Sequence, residues 1–345
     1  MELSILIVNY NTYDMTCRCI DSIRKQVFAY EYEIILVDNA SSECPAKKFR
    51  ERFADIVLVE SPNNVGFAQG NNLAMKLAKG KYILLLNSDT IVEEDAIQRC
   101  VRYLSDTTLS QGIAAVGCKL CYENGVDQVS SFEYKIGLWS SLLDNTIVYQ
   151  IVKLFGFAKY RNMEYVMLQH QITHDVEALL GAYILCKKEV IEEVGMLDPD
   201  FFMYYEEFEW CYRIRKAGYR LQFLADTKII HIGGGTSVNT ASLKGSGLNK
   251  QFSLSKLLLI YKRFGVSGVY LYNIILNFNK ITNYVIDLFR DEQKRKAHQA
   301  IIDDFLYAKR YQSIMLKYFR PTFSSAQFPF KTSLVEELYR EQKVS

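Results

Sequence analysis

Asp89 has the residue type and the setting for binding a cation. It follows the apolar run Leu84–Leu86 through Asn87 and Ser88. A carboxylate at the tip of a buried strand can hold a divalent cation, which takes oxygen ligands and shares them with substrate phosphates. The alternative is that Asp89 ends the strand and caps a helix that starts near Glu93. The residues alone favour neither interpretation.

A second acidic segment follows an aromatic run, where Glu206, Glu207 and Glu209 come directly after Phe201–Tyr205. Acidic residues are favoured in the first turn of a helix, and Glu209 can pair with Arg213 one turn later. Adjacent carboxylates among aromatic rings lose solvent and repel each other, which raises their pKa towards that of a general base. We assign Glu209 to helix stability and keep Glu206 and Glu207 as candidate bases.

His231 is one of four histidines and ends a β-rich run just before Gly233–Gly235. A single histidine near a strand end is more often packed than a ligand. If the fold brings this strand to the same cleft, Asp89 and His231 could form a sparse metal shell open to a diphosphate. The run Asn64–Asn72 could add a phosphate cradle, although it matches neither GxGxxG nor Walker A spacing.

Short β-rich runs alternate with amphipathic helical stretches along the first 120 residues, which predicts a parallel sheet with helices on both faces. The predicted strands are Leu3–Val8, Glu33–Val37, Ile56–Glu60, Tyr82–Leu86 and Ala114–Cys118. The predicted helices are Asp14–Gln26, Cys44–Phe53, Phe67–Lys79 and Glu93–Leu104. Polar clusters follow the first four strands, at Asn9–Asn11, Asp38–Asn39, Asn63–Asn64 and Asn87–Asp89. Because ligands bind at the carboxyl ends of such strands, four clusters together predict a cleft there.

Periodicity weakens over Tyr122–Asp175, which we interpret as an inserted segment that faces the acceptor. Regular structure resumes at Val176–Cys186. A helix follows over about Glu206–Ala217, then a strand at Leu221–Leu224 that leads to Lys228–His231. Beyond about Thr240 the chain is predicted to be helical.

The composition is that of a globular protein, with 49% hydrophobic and 23% charged residues in 345. Eight scattered cysteines, and an N-terminus that enters a strand without a signal-like segment, indicate reduced thiols in a cytoplasm. The net charge is +2, but residues 251–345 carry 15 Lys/Arg against 8 Asp/Glu. This basic tail favours an anionic partner, either a membrane surface or nucleic acid.

The tail contains 16 consecutive uncharged residues between Arg263 and Lys280. A spanning helix needs roughly 20, so a helix lying on the membrane surface fits better. The alternative is that these helices pack on the catalytic domain or on a second subunit, which would make a homodimer.

In order and spacing, this set of motifs resembles the family 2 glycosyltransferases, especially their rhamnosyltransferase-like branch. The segments that carry the resemblance are Val8–Asn11, Val37–Ser42, Asn64–Asn72, Leu86–Asp89, Gly195–Asp198, Phe202–Glu207 and His231. The resemblance implies an α/β fold of GT-A type, with a Rossmann-like, mostly parallel sheet, helices on both faces and a C-terminal helical extension. The expected domains are 1–245, which is catalytic, and 246–345, which is helical.

The resemblance also implies roles by position. Tyr10 and Asp38 would contact the nucleotide, and Asn71 and Ser88 would lie near the ribose or the phosphates. Asn87 holds the first position of the family's DxD motif in the same donor site. The final position is Asp89, which would bind Mg²⁺ or Mn²⁺ with His231. Glu207 resembles the catalytic base, with Glu206 beside it.

Two departures from the family pattern matter. Asn87 replaces an anionic contact with a neutral one, and Glu206-Glu207 stands where Glu-Asp is common. The QxxRW motif of processive synthases is absent, so we expect one sugar per encounter.

The expected activity is inverting transfer of a hexose, by resemblance rhamnose. The donor would be a nucleotide-diphosphate sugar, and the acceptor a hydroxyl of a glycan or lipid-linked molecule. The transfer would serve cell-surface polysaccharide synthesis at the inner face of the membrane.

Two rival functions have their own requirements. A nucleotidyltransferase would need a Gly-rich loop with Arg and Lys after the first strand, where this chain has Asn9–Asp14. A non-catalytic nucleotide-sugar binding protein would need neither Glu207 nor His231. We expect no nucleic acid partner, because no recognised module accompanies the basic tail.

Overall fold

The computed structural model describes residues 1–133, 137–144, 146–155, 163–233 and 246–287. Its strands are β1 Leu3–Asn9, β2 Tyr32–Asp38, β3 Val57–Glu60, β4 Tyr82–Asn87, β5 Thr90–Ile91, β6 Ile113–Cys121, β7 Ser131–Phe132, β8 His174–Val176, β9 Ala178–Leu179, β10 Tyr183–Lys187 and β11 Arg220–His231. Its helices are α1 Tyr13–Arg24, α2 Lys47–Arg52, α3 Gly66–Met75, α4 Ala96–Ser105, α5 Leu138–Leu142, α6 Thr146–Leu154, α7 Met163–Gln169, α8 Lys188–Val194, α9 Glu206–Lys216 and α10 Ser246–Asp287.

Nine strands form one mixed sheet in the order β3-β2-β1-β4-β10-β6-β11-β5, with β8 also paired to β11. Strands β3, β2, β1 and β4 run parallel, and so do β6 and β11. Strand β10 is antiparallel to both of its neighbours. The parallel strands end at one edge of the sheet, which therefore gathers the polar clusters that follow β1, β2, β3 and β4.

The central strands are apolar on both faces, because each face packs against its own core. Alternate residues of β1 divide between the two cores, with Leu6 in one and Ile5 and Ile7 in the other. Leu257–Tyr261 of α10 pack in the core that contains Leu6. The expected helices on both faces follow from this two-sided burial.

The predicted strands and helices lie within a few residues of those observed. The largest difference is β11, which is one strand where two segments were expected. Its pairing with β6 shifts register between Leu224 and Lys228, so the intervening residues form a bulge and the strand continues to His231. The segment of weak periodicity contains β7 and the short helices α5, α6 and α7.

Helix α10 is interrupted at Gly265, whose φ of +64° is left-handed. Within the residues that the structure describes, no helix combines the length and hydropathy needed to span a bilayer. Residues 288–345 of the expected helical region lie outside the described residues.

Candidate active site

Asp89 and His231 lie next to each other at the edge of the sheet. Strand β5 pairs with the end of β11, setting Thr90 opposite His231, and the Ile232 N–H donates to the Asp89 carbonyl at 2.9 Å. The His231 Nε2 lies 3.5 Å from the Asp89 Oδ1. Helix α4 begins at Ala96, so the alternative that Asp89 caps this helix is wrong.

Gln128 holds the other side of the His231 ring. The Gln128 Oε1 lies 2.9 Å from the His231 Nδ1, and the Gln128 Nε2 donates to the His231 carbonyl at 2.5 Å. Gln128 is buried, and its N–H donates to the Leu120 carbonyl of β6 at 2.8 Å. One contact therefore holds the imidazole, and the other holds the backbone of the same residue.

The Asp89–His231 pair has the donor set for a divalent cation that takes most of its ligands from a substrate. Both side chains are largely buried, and one carboxylate oxygen and one imidazole nitrogen face each other. No cluster of three or more His, Cys, Asp or Glu that could hold a metal occurs among the described residues. A cation here would need further oxygen ligands, which a diphosphate supplies.

Glu206 and Glu207 begin α9 and are both buried, with 4% and 8% of their surfaces exposed. Within the described ranges, the Oε2 of each carboxyl group has no hydrogen-bond partner. Burial raises the pKa of Glu207 to about 7, and hydrogen bonding by the backbone of Gly181 and Phe208 offsets part of the rise. Burial, and then the charge of Glu207, raise the pKa of Glu206 well above its usual range. Glu207 can therefore exchange a proton near neutral pH.

A short chain of contacts connects Glu207 to the strand that precedes Asp89. A Cβ built on Gly181 would lie 3.8 Å from the Glu207 Cδ. The neighbouring Ala182 carbonyl accepts a hydrogen bond of 3.1 Å from the Asn87 N–H at the end of β4. The buried Asn87 Oδ1 has no hydrogen-bond partner among the described residues. Glu207, Asn87 and Asp89 thus belong to one edge of the sheet.

The backbone before α9 is strained. Tyr204 and Tyr205 both adopt left-handed φ values, of +71° and +69°. Non-glycine residues in this region carry a conformational cost and persist where the surroundings hold them. The ring of Tyr205 packs against Phe208 and Phe252, so it is held by both α9 and α10. This double turn directs the chain into the helix at Glu206.

Glu209 faces Arg213 as the sequence predicts. The Arg213 Nε lies 2.8 and 2.9 Å from the two carboxylate oxygens of Glu209. Arg213 also donates to the carbonyls of Val194 and Met196 at 2.6 and 2.7 Å. Glu209 therefore stabilises the packing of α9 against the end of α8.

The phosphate cradle suggested for Asn64–Asn72 stays a prediction, and a protein carbonyl group occupies the start of helix α3. The Phe67 N–H at the start of α3 donates to the Phe202 carbonyl at 2.6 Å. Gly66 has a φ of +81°, and a Cβ there would lie 2.2 Å from that same oxygen. Asn71 is buried and donates to the Phe67 carbonyl within its own helix at 2.9 Å. This segment holds the aromatic run in place.

The residues expected to contact the nucleotide follow β1, β2 and β4. Asp38 is buried and accepts from the Asn9 Nδ2 at 2.7 Å and from the Ser41 N–H at 3.2 Å. Ser88 is buried, with its hydroxyl 3.2 Å from the Thr12 hydroxyl. Tyr10 is half-buried directly after β1. Asp38, Ser88 and Tyr10 share the strand-end edge with Asn87.

The family model "Glycosyl transferase family 2" matches residues 4–195, which are more than half of the chain. This protein belongs to glycosyl transferase family 2. The matched range covers β1 to α8, and it contains Asp89 but stops before Glu207 and His231.

Named relatives agree with this assignment. The chain is 29% identical over 196 residues to a poly(ribitol-phosphate) beta-glucosyltransferase of Bacillus spizizenii, matching 54% of this chain and 30% of that protein. It is 23% identical over 235 residues to the rhamnosyltransferase WbbL of Escherichia coli, covering 66% and 82% of the two chains. The chain therefore spans less than a third of the first relative's length.

A solved structure shows the same fold. The mannosyltransferase PcManGT from Pyrobaculum calidifontis, solved in complex with GDP-Man and Mn²⁺, superposes with a TM-score of 0.51 at 14% identity. The match covers 92% of this chain and 87% of that one. The fold of this family 2 glycosyltransferase is of GT-A type, as the sequence predicts.

Two residues of this glycosyltransferase site escape prediction from its sequence. Gln128 lies in the segment of weak periodicity, and no motif marks an amide that reaches 103 positions along the chain to His231. Gly181 contacts Glu207 through its backbone, which the sequence shows only as a glycine before a strand. Both contacts come from tertiary packing, so spacing in the sequence carries no signal for them.

Proposed function

We propose that this protein transfers one hexose from a nucleotide-diphosphate sugar to a hydroxyl group, with inversion at the anomeric carbon. The proposal rests mainly on the buried carboxyl group of Glu207, which lies at the edge that carries Asp89 and His231. Among the residues that the structure describes, one oxygen of this group has no hydrogen-bond partner. A carboxylate of this kind suits the removal of a proton from an attacking hydroxyl.

The proposed roles of the chain's own residues follow from their positions. Glu207 accepts the proton of the acceptor hydroxyl, and Glu206 lies beside it, where burial and then the charge of Glu207 raise its pKa. Tyr10, Asp38, Asn71, Asn87 and Ser88 form the donor side. Because Asn71 and Asp38 are engaged with neighbouring protein groups, we expect them to shape the donor side at least as much as to touch the nucleotide.

Asp89 and His231 are the proposed ligands of Mg²⁺ or Mn²⁺. A bound divalent cation offsets negative charge on the departing nucleoside diphosphate. Asn87 contributes a neutral oxygen where a second carboxylate is common, so we propose that the cation binds more tightly once the diphosphate is present.

The donor and acceptor classes are proposed from the relatives. Their printed names describe a glucosyltransferase acting on poly(ribitol-phosphate) and a rhamnosyltransferase. We propose a hexose donor, with rhamnose as the first candidate, and a glycan or lipid-linked acceptor in cell-surface polysaccharide synthesis.

The test is a panel of nucleotide sugars, scored first by thermal shift with Mn²⁺ or with EDTA and then by release of nucleoside diphosphate. We expect one donor to raise the melting temperature only when the cation is present. An Asp89→Ala variant should lose this cation-dependent shift. If no nucleotide sugar stabilises the protein, or if donors are split equally well in EDTA, the proposal fails.

We also propose that the protein works at the inner face of the cell membrane and binds it through an apolar surface on α6 and α10. Helix α6 exposes Ile147, Ile151 and Leu154, which share one face. Helix α10 exposes another row at helical spacing, consisting of Tyr270, Ile274, Phe278 and Ile281. The excess of Lys and Arg over residues 251–345 would draw this surface to anionic lipid.

Point substitutions on the exposed row test this surface, because deleting the tail would also remove the core residues Leu257–Tyr261. We expect Ile274→Asp with Phe278→Asp to abolish sedimentation with phosphatidylglycerol vesicles. Phosphatidylcholine vesicles are the matched control and should bind weakly. If the double variant instead converts a dimer to a monomer in light scattering, with vesicle binding unchanged, the surface is a subunit interface and the membrane proposal is wrong.

A further inference from the structure

Gln128 is a buried side chain whose position the proposed chemistry leaves unexplained. Its backbone is fixed on both sides, since its N–H donates to Leu120 and its carbonyl accepts from the Ser130 hydroxyl at 2.9 Å. The Ser130 N–H in turn donates to the Nε2 of the fully buried His170 at 2.8 Å. The segment that carries Gln128 is thus anchored before its side chain reaches His231.

The two contacts to His231 fix which way the Gln128 amide points. The nitrogen Nε2 lies 2.5 Å from the His231 carbonyl oxygen, which can only accept a hydrogen bond. Turning the amide over would set two oxygens against each other at that distance. The oxygen Oε1 must therefore be the atom that faces the His231 Nδ1 at 2.9 Å.

The amide orientation in turn selects the tautomer of the imidazole. Because Oε1 has no proton to give, the Nδ1 of His231 must carry one to make the hydrogen bond. In the neutral ring, Nε2 then presents a lone pair, and it lies 3.5 Å from the Asp89 Oδ1. A nitrogen and an oxygen that both offer lone pairs at this distance can bind the same cation.

We propose that Gln128 is a positioning residue of the cation site, which holds His231 in the tautomer whose Nε2 can bind the metal beside Asp89. The inference rests on the proposed function, because it takes Asp89 and His231 as the metal ligands. Gln128 does not touch the metal. It acts through His231, as outer partners of metal-binding histidines do.

The tautomer can be measured directly in the full chain. Nitrogen-15 NMR of imidazole-labelled protein distinguishes the two ring nitrogens, and the sequence has four histidines to resolve. A His231→Ala variant assigns the signal. We expect the wild type to show a protonated Nδ1 and an unprotonated Nε2 at His231. The opposite tautomer in the wild type would overturn the proposal without any variant.

Binding of Mn²⁺ alone, measured from the free-ion electron paramagnetic resonance signal, gives the second readout. Gln128→Leu removes both contacts, and we expect Mn²⁺ affinity to fall about 10- to 100-fold. Gln128→Glu keeps an oxygen that accepts the Nδ1 proton, but its other oxygen replaces the donor to the His231 carbonyl. We therefore expect it to lose less affinity than Gln128→Leu. Unchanged Mn²⁺ affinity and tautomer in a folded Gln128→Leu variant would refute the inference.

The same titration separates this inference from the proposed function. If Asp89→Ala and His231→Ala leave Mn²⁺ binding intact, the cation site itself is wrong. If those two variants weaken binding and Gln128→Leu does not, only the role of Gln128 fails. If Gln128→Leu does not fold, the tautomer of the wild type decides. A protonated Nδ1 at His231 supports the role, and a protonated Nε2 with an unprotonated Nδ1 contradicts it.

Discussion

Two of the three buried carboxylates of helix α9 are in opposite situations. Glu207 and Glu209 are two residues apart and equally buried, with 8% and 7% of their surfaces exposed. Glu209 meets the Arg213 guanidinium at 2.8 Å, whereas Glu207 faces the backbone of Gly181 and, within the described ranges, keeps one oxygen without a hydrogen-bond partner. Burial alone therefore does not make a carboxylate reactive. No cation pairs with Glu207 in the part of the chain that the structure describes, so its raised pKa lets it take up and release a proton near neutral pH.

The largest expected effect is on turnover. Glu207→Gln should lower kcat about 10²- to 10⁴-fold, because it removes the proposed general base. Donor affinity, measured by calorimetry, should change little, since the amide keeps the size of the carboxyl group. Glu209→Gln is the matched control and should leave kcat close to that of the wild type. A Glu207→Gln enzyme with normal turnover would show that the two carboxylates do not differ in function.

The second expected effect is on the stability of the fold and concerns Glu209. Arg213→Met should lower the free energy of unfolding by about 3 kcal/mol, because it leaves the buried Glu209 carboxylate without its cation. It also removes the donors to Val194 and Met196. Urea unfolding at pH 7 measures the loss. Arg213→Lys should recover part of it, and an unchanged midpoint in Arg213→Met would contradict a structural role for the pair.

A third expectation concerns the pH dependence of catalysis. The base must be ionised to act, so kcat/KM should rise with pH and level off above the Glu207 pKa of about 7. Below it, the rate should fall about tenfold per pH unit. Glu206→Gln should keep this inflection, because burial is the main cause of the raised Glu207 pKa. A wild-type pH profile whose inflection lies at the pKa of an exposed carboxyl group would contradict the buried setting of Glu207.

The smallest expected effect is on the pH dependence of folding. The pKa of Glu207 is about 7 in the folded protein, against 4.5 for a glutamate exposed to water in the unfolded chain. Between pH 4.5 and 7, Glu207 loses its proton in the unfolded chain but keeps it in the folded protein. The free energy of unfolding of the wild type therefore falls over this range. At pH 8, Glu207→Gln should be more stable than the wild type by roughly 1–3 kcal/mol. The difference should vanish near pH 4.5, and a constant difference would contradict the raised pKa.

The alternation of apolar strands and amphipathic helices predicts the sheet because periodicity is a local property. The strand-end positions of Asp38 and Asp89 follow from the same pattern, and Glu209–Arg213 follows from helix geometry. The role of Asn64–Asn72 does not, because its partner Phe202 lies about 130 residues away. A Gly-rich helix start is equally compatible with a phosphate and with a carbonyl oxygen. The role of Gln128 cannot be predicted from the sequence for the same reason, since it depends on a contact with His231 that only the fold creates.

The contact between α3 and the aromatic run has a mechanical consequence. Helix α3 lies against β1, where a Cβ on Gly70 would approach Val8 within 2.9 Å. The start of the same helix, at Gly66 and Phe67, contacts the Phe202 carbonyl. Helix α3 thus connects the loop that leads to Glu207 with the strand that precedes Tyr10. A substitution that tilts α3 should displace the proposed base and the proposed donor side together. We therefore expect the preferences for the acceptor and for the donor to change together when this helix moves.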